Sequence, residues 1–213
     1  MEKGNAVVHV GENAFLSILI GAIESFPSKY EGGKKPRNSF NEGEVYGLLF
    51  GQKSQKGDKT FYNVTLAVPL QVLMEKNDSS VTPSGHHFEK IRSIVESVPM
   101  YQFLGTFHSH PYPRDQFNVK TSSNPSEVDV HSMLSDANIF EDDLIEVIIA
   151  LTHLTKTVNK SPEQTWNSIQ NYCGNYKYVL AAFITERQAG LVWPVDNLLC
   201  PFASGLGNYD LER

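Results

Sequence analysis

At 213 residues and a formal charge of −6, the chain is long enough for one well-cored domain with insertions and short for two. Its 40% hydrophobic, 20% charged composition is that of a soluble globular protein, and the acidic balance argues against a nucleic-acid binder, which shows a basic face. Two cysteines, Cys173 and Cys200, make neither a disulfide framework nor a thiolate zinc site, so any metal must be held by histidine and carboxylate. They suit buried free thiols in a reducing cytoplasm, the expected compartment. The opening MEKGNAVVHVGE has no basic start, and the longest apolar run, AFLSILIGAI (14–23), is shorter than a membrane span. Neither a secretory leader nor a membrane segment is expected.

Along the chain, AVVHV (6–10) suits a first strand, and NAFLSILIGAIESF (13–26) carries apolar residues at helical spacing up to Pro27. A polar loop over 28–43 contains Gly32, Gly33, Pro36 and Asn38. EVYGLLFGQ (44–52) and TFYNVTLAVPLQV (60–72), rich in β-branched and aromatic residues, read as strands. A second loop follows over 74–85, then an amphipathic helix over 88–98 that Pro99 ends. YQFLGTFHSH (101–110) reads as a strand closed by Pro111, because proline cannot donate to a sheet ladder. After the loop at 112–125, SEVDVHSMLSDANIF (126–140) reads as a helix. DLIEVIIALTHL (143–154), YKYVLAAFITE (176–186) and AGLVWPV (189–195) read as strands, with a polar excursion over 155–175. The expectation is a single mixed α/β domain over 1–213, with helices packed on one central sheet, a core at about 5–196 and a tail at 197–213.

The chemistry concentrates in FHSHPYPRDQFNVKTSSNPSEVD (107–129). Successive strand residues alternate faces, so His108 and His110 point the same way and can grip one ion. Taken alone, such a pair is more often two solvent-facing histidines at a strand end. Ser126 and Asp129 have a plain reading too, as a helix cap. However, proline favours the first helical position, which makes Asn124 the expected cap before Pro125 and Glu127 the capping-box carboxylate. That leaves Ser126 and Asp129 for chemistry on one helical face. Two histidines and one aspartate match the catalytic zinc pattern, three protein ligands with a position left open. A hydrolase also needs a general base, and spacing alone does not single out one glutamate.

With these residues in view, H-S-H-P (108–111) followed by P-S-E-V-D (125–129), with E-V-Y-G-L-L-F-G (44–51) upstream, resembles the JAMM signature of the MPN (JAB1/MPN/Mov34) zinc metalloproteases, in its prokaryotic JAB-like form. The resemblance implies an MPN-type central β-sheet flanked by helices, with cytidine-deaminase-like layering. It implies one zinc per chain on His108, His110 and Asp129, Glu44 as the base that passes a proton to the leaving amine, and Ser126 as a donor to the oxyanion. Gly47 and Gly51 match the family's strand, for close packing near the site or for sheet packing alone. The implied activity is hydrolysis of the peptide or isopeptide bond after the C-terminal tail of ubiquitin or a ubiquitin-like protein. Activating and conjugating enzymes of the same pathway would be companions, and insertions near 74–85, 112–125 and 155–175 would shape the cleft. Two alternatives stay open: a catalytically inert MPN scaffold, and a zinc peptidase acting on a peptide that is not ubiquitin-like. A nucleobase deaminase is set aside, since its P-C-x-x-C does not occur.

One departure stands out. Residues 111–125, between His110 and Ser126, make a loop about twice the family's usual length. Asp115 within it is a minor candidate ligand. His86 and His87, His9, His153 and His131 read as surface or packing residues, and Trp166 with the tyrosines of NYCGNY as loop anchors.

Overall fold

The computed structural model describes residues 4–32, 42–70, 73–76 and 81–205. Parts of the loops read at 28–43 and 74–85, and the end of the tail at 197–213, lie outside the described residues. In chain order the elements are β1 (Gly4–Val10), α1 (Glu12–Glu24), β2 (Tyr46–Lys56), β3 (Lys59–Pro69), β4 (Leu73–Lys76), β5 (Val81–Pro83), α2 (Gly85–Glu96), β6 (Gln102–Tyr112), α3 (Glu127–Phe140), β7 (Ile145–His153), β8 (Glu163–Gln164), β9 (Ser168–Cys173), β10 (Tyr176–Glu186), β11 (Leu191–Leu199) and α4 (Pro201–Gly205). No helix among the described residues is long and apolar enough to cross a membrane.

The strands do not form the helix-flanked central sheet with cytidine-deaminase-like layering that the resemblance implied. They run β11-β1-β3-β2-β6-β7-β10, and β10 then pairs with β11, so seven strands close into a mixed barrel. The closure depends on two strands that change neighbours along their length. Residues Leu191–Pro194 of β11 pair antiparallel with Phe183–Glu186 of β10, across the turn at 187–190. From Val195 onward β11 runs parallel to β1 instead. The first half of β10 pairs with β9, which leads out to β8. Periodicity locates a strand and its faces, but not the neighbour to which each half is bonded, and so an open sheet was expected.

A second correction concerns residues 155–175, expected as a polar excursion. They contain β8 and β9. The pattern is masked because the buried positions of β9 include Gln170 and Asn171. Asn171 is accommodated there by donating its amide to the Ala203 carbonyl at 2.6 Å. Pro111 also lies inside β6 rather than ending it, paired with Leu151 of β7. Ser109 N–H bonds the Val45 carbonyl on the β2 side. Two residues on, the missing N–H of Pro111 falls on that same side, beyond the start of β2.

The two faces of the sheet have different coverings. The inner face is the main core: Val147, Ile149 and Leu151 of β7 and Leu180 and Ala182 of β10 pack with Phe15 and Ile18 of α1. Phe15, Ile18, Leu19 and Ala22 are all buried at helical spacing. On the outer face, α2 covers Leu48, Phe50 and Phe103 with Phe88, and α3 covers Ile148, Ala181 and Phe183 with Met133.

Which face each β6 side chain takes is set at Gly105. The pairing of β2 with β6 shifts register between Leu49 and Phe50, opposite Leu104. There Gly105 adopts a φ of 146°, and a Cβ on it would lie 1.8 Å from the Ile145 carbonyl oxygen. This bulge sends Leu104 and Phe107 to the inner core while Thr106, His108 and His110 face outward.

Candidate metal centre

His108 and His110 lie side by side on the outer face of β6, both less than a tenth exposed. Tyr46 of β2 is directly opposite His108. The ladder continues through Val45, whose N–H donates to the Ser109 hydroxyl at 2.9 Å, so Glu44 falls across from His110 on the same face. Glu44 is 6% exposed. Its charge reaches the site, since burial raises the Tyr112 phenol and both Glu44 and Asp129 push it further up. Asp129 comes from the first turn of α3, and its carboxylate oxygens lie 3.5 Å from His108 Nε2 and 3.5 Å from His110 Nε2.

The two imidazole Nε2 atoms are 2.9 Å apart. Each ring has committed its other nitrogen: His108 Nδ1–H donates to the Glu146 carboxylate at 2.7 Å, and His110 Nδ1–H to the Ser122 carbonyl at 2.9 Å. In neutral rings this fixes the tautomer, leaving both Nε2 atoms with lone pairs aimed at each other and at Asp129. Such an arrangement requires a cation. Two ligands bound tetrahedrally at about 2.0–2.2 Å from zinc stand about 3.3–3.5 Å apart, which matches the spacing of each histidine from Asp129, while the two histidines lie closer together. His108, His110 and Asp129 together form a group able to hold a metal ion, with ligand atoms within 4.8 Å of one another. With protons as the only cations, burial opposes the His108 imidazolium, but bonds to Asp129 and Glu146 outweigh it and lift the pKa to about 10. Burial would likewise raise Asp129, yet the two histidines dominate and hold it well below the carboxylate range.

The cap of α3 differs from expectation. Ser126, not Asn124, is the N-cap: its hydroxyl oxygen accepts from Asp129 N–H at 3.2 Å, and Asp129 accepts from Ser126 N–H at 2.7 Å. Glu127 takes no part in this reciprocal box. Capping by Ser126 and Asp129 therefore does not compete with the metal site, as the expectation had assumed. The bond from the Ser126 amide steers the Asp129 carboxylate toward the histidines. Ser126 uses a lone pair in the cap, and its hydroxyl proton is still available to donate.

Other candidates fall away from the site. Asp115 is exposed in the loop and is not part of the metal-ligating group. His87 accompanies the cap of α2 through Ser84, His9 bonds Asn63, and His153 packs on Tyr176. Both cysteines are free, Cys200 buried and Cys173 half-buried. Gly47 faces the inner side, where a Cβ would strike the Phe107 ring, and Gly51 faces the Asn63 carbonyl, so both serve sheet packing.

What the sequence reading missed is the layer behind His108. Glu146 of β7 is 3% exposed and bridges His108 and the Thr106 hydroxyl. Its signal was present, a lone acid inside the apolar run LIEVIIAL. Asp136 of α3 bonds the Tyr46 hydroxyl, and burial followed by the Glu146 charge pushes it up to about 7. No protein-family model matches the chain, and no curated protein matches it at a significant level.

Proposed function

We propose that the protein is a zinc-dependent peptidase or isopeptidase of JAMM type. It cleaves the bond after the C-terminal tail of ubiquitin or a ubiquitin-like protein, in deconjugation or precursor processing. The observation that carries this reading is the convergence of His108 Nε2, His110 Nε2 and the Asp129 carboxylate, with both Nδ1 protons already committed elsewhere. The match of this trio, Ser126 and Glu44 to the JAMM pattern supports the choice of reaction. The closed barrel adds nothing to it.

His108, His110 and Asp129 would hold the metal. Zinc, when bound there, acts as a Lewis acid and lowers the pKa of water toward about 7. Glu44 takes the proton of the attacking water onto its carboxylate and returns it to the nitrogen of the leaving amine. Ser126 directs its hydroxyl proton to the oxygen that becomes negative as water adds to the carbonyl. Activating and conjugating enzymes for the same tail are the expected companions.

The test is Glu44→Gln, assayed for zinc and for release of a fluorophore from the C-terminus of ubiquitin and of ubiquitin-like proteins. The expected outcome is one zinc per chain with hydrolysis abolished. Undiminished hydrolysis would remove Glu44 as the base. A zinc-loaded wild-type protein that cleaves no such tail would instead favour a zinc peptidase with a substrate that is not ubiquitin-like, and substoichiometric zinc the inert scaffold.

A further inference from the structure

The outer face that carries the histidines does not end at the metal centre. Across the sheet His110 pairs with Ala150, Ala150 with Val179, Val179 with Gln170, and Gln170 with Glu163. A parallel row runs from Tyr112 through Thr152 and Lys177 to Tyr172. Beyond β7 this face becomes the floor of a groove of about 600 Å³, walled by the long loop through Val119 to Asn124 and by residues 160–168. The loop belongs to both features, because the Ser122 carbonyl holds His110 while Ser123 and Asn124 line the groove.

The groove is basic in an acidic protein. Lys120, Lys160 and Lys177 line it against one acid, Glu163. Lys177 is the central one: its ammonium lies 5.7 Å from the Phe117 ring centre and 5.8 Å from that of Tyr172. Burial, offset in part by Glu163 and reinforced by Lys160, holds it below the usual lysine range. Beside it on the same row, the hydroxyl of Thr152 is buried with no hydrogen-bond partner among the described residues.

We propose that this groove is a substrate subsite for an acidic polypeptide segment, with Lys177 as its anion anchor and Lys120 and Lys160 at its rim. The proposal rests on the peptidase reading for its geometry. Two strand spacings, about 10 Å, separate His110 from Val179, and Lys177 lies one row further along β10, about 12 Å from His110, which an extended chain spans in about three to four residues. An Asp or Glu about three to four residues from the scissile bond would therefore meet Lys177. A peptide is favoured over nucleic acid because the groove continues the face of the proposed peptidase centre, within reach of one extended chain.

The test uses the metal-free full-length protein and a fluorescein-labelled peptide of alternating Glu and Gly, with the same peptide carrying Lys for Glu as control. Fluorescence anisotropy is expected to show at least tenfold tighter binding of the acidic peptide. That preference should collapse in Lys177→Glu and in the exposed Lys160→Glu, and persist in Lys90→Glu, an exposed lysine of α2 outside the groove. Equal binding of the two peptides, indifference to both lysine substitutions, or tighter binding of a thymidine oligonucleotide of equal charge would overturn the proposal. Because this binding needs neither zinc nor Glu44, failure of the hydrolase reading would leave it intact, and its own failure would leave hydrolysis untouched.

Discussion

Each metal-site histidine is useful only because of the group behind it. His108 presents Nε2 because Glu146 takes the Nδ1 proton, and that carboxylate is itself held by Thr106. Outer partners of this kind set the orientation and basicity of a ligand, and their loss typically weakens metal binding about 10- to 100-fold. Glu146→Ala is expected to lower zinc affinity within that range in a competition titration with a chelating dye, while an unchanged affinity would remove Glu146 from the site. Ser126 caps α3 and is the proposed oxyanion donor, so Ser126→Ala should cost about 1 kcal/mol of stability through the cap. It should also cost about 100- to 1000-fold in turnover through the oxyanion, with zinc retained. Asp136 gives a pH signature. Its carboxyl titrates near 7 when folded, against an ordinary 3.8, so between those values the folded protein binds more protons than the unfolded one. Stability therefore falls as pH rises through this window. Asp136→Asn should flatten the decline in Tm between about pH 5 and pH 8, and an identical slope in both proteins would contradict this.

The elements were readable where one face is apolar throughout. α1, β6, β7 and β10 lie within a few residues of their expected bounds, and the histidine pair was placed on one face from alternation alone. Capping was misread for a local reason: Pro125 made Asn124 the natural cap, whereas the reciprocal bonds of Ser126 and Asp129 start the helix two residues later. β9 was missed because its buried positions include Gln170 and Asn171, and Asn171 is satisfied by a bond to the Ala203 carbonyl that no hydropathy pattern records. The Gly105 bulge was equally silent, yet it decides whether the histidines face α3 or the inner core. Gly105→Ala would bring a Cβ against the Ile145 backbone at a φ that suits glycine. It should destabilise by at least about 3 kcal/mol in denaturant unfolding. On α1, Phe15→Ala should cost about 3–5 kcal/mol, since the ring is fully buried against Tyr178 and Phe202.

At the scale of the whole molecule, the barrel and the site have separate origins in the sequence. The site is assembled from short-range features, H-x-H on one strand and S-x-x-D at one helix start, and these were legible. The barrel is closed by the pairing of β10 with β11 and of β11 with β1, a matter of which strand halves meet. The site depends instead on the parallel pairing of β6 with β7, which sets Glu146 opposite Thr106, one same-face step from His108. The central claim is that His108, His110 and Asp129 bind zinc. The most direct measurement is an anomalous-difference map from zinc-soaked crystals, recorded on both sides of the zinc absorption edge. The predicted result is one peak per chain, within about 2.0–2.2 Å of His108 Nε2, His110 Nε2 and an Asp129 carboxylate oxygen. A zinc-saturated crystal with no peak between these three residues would contradict it.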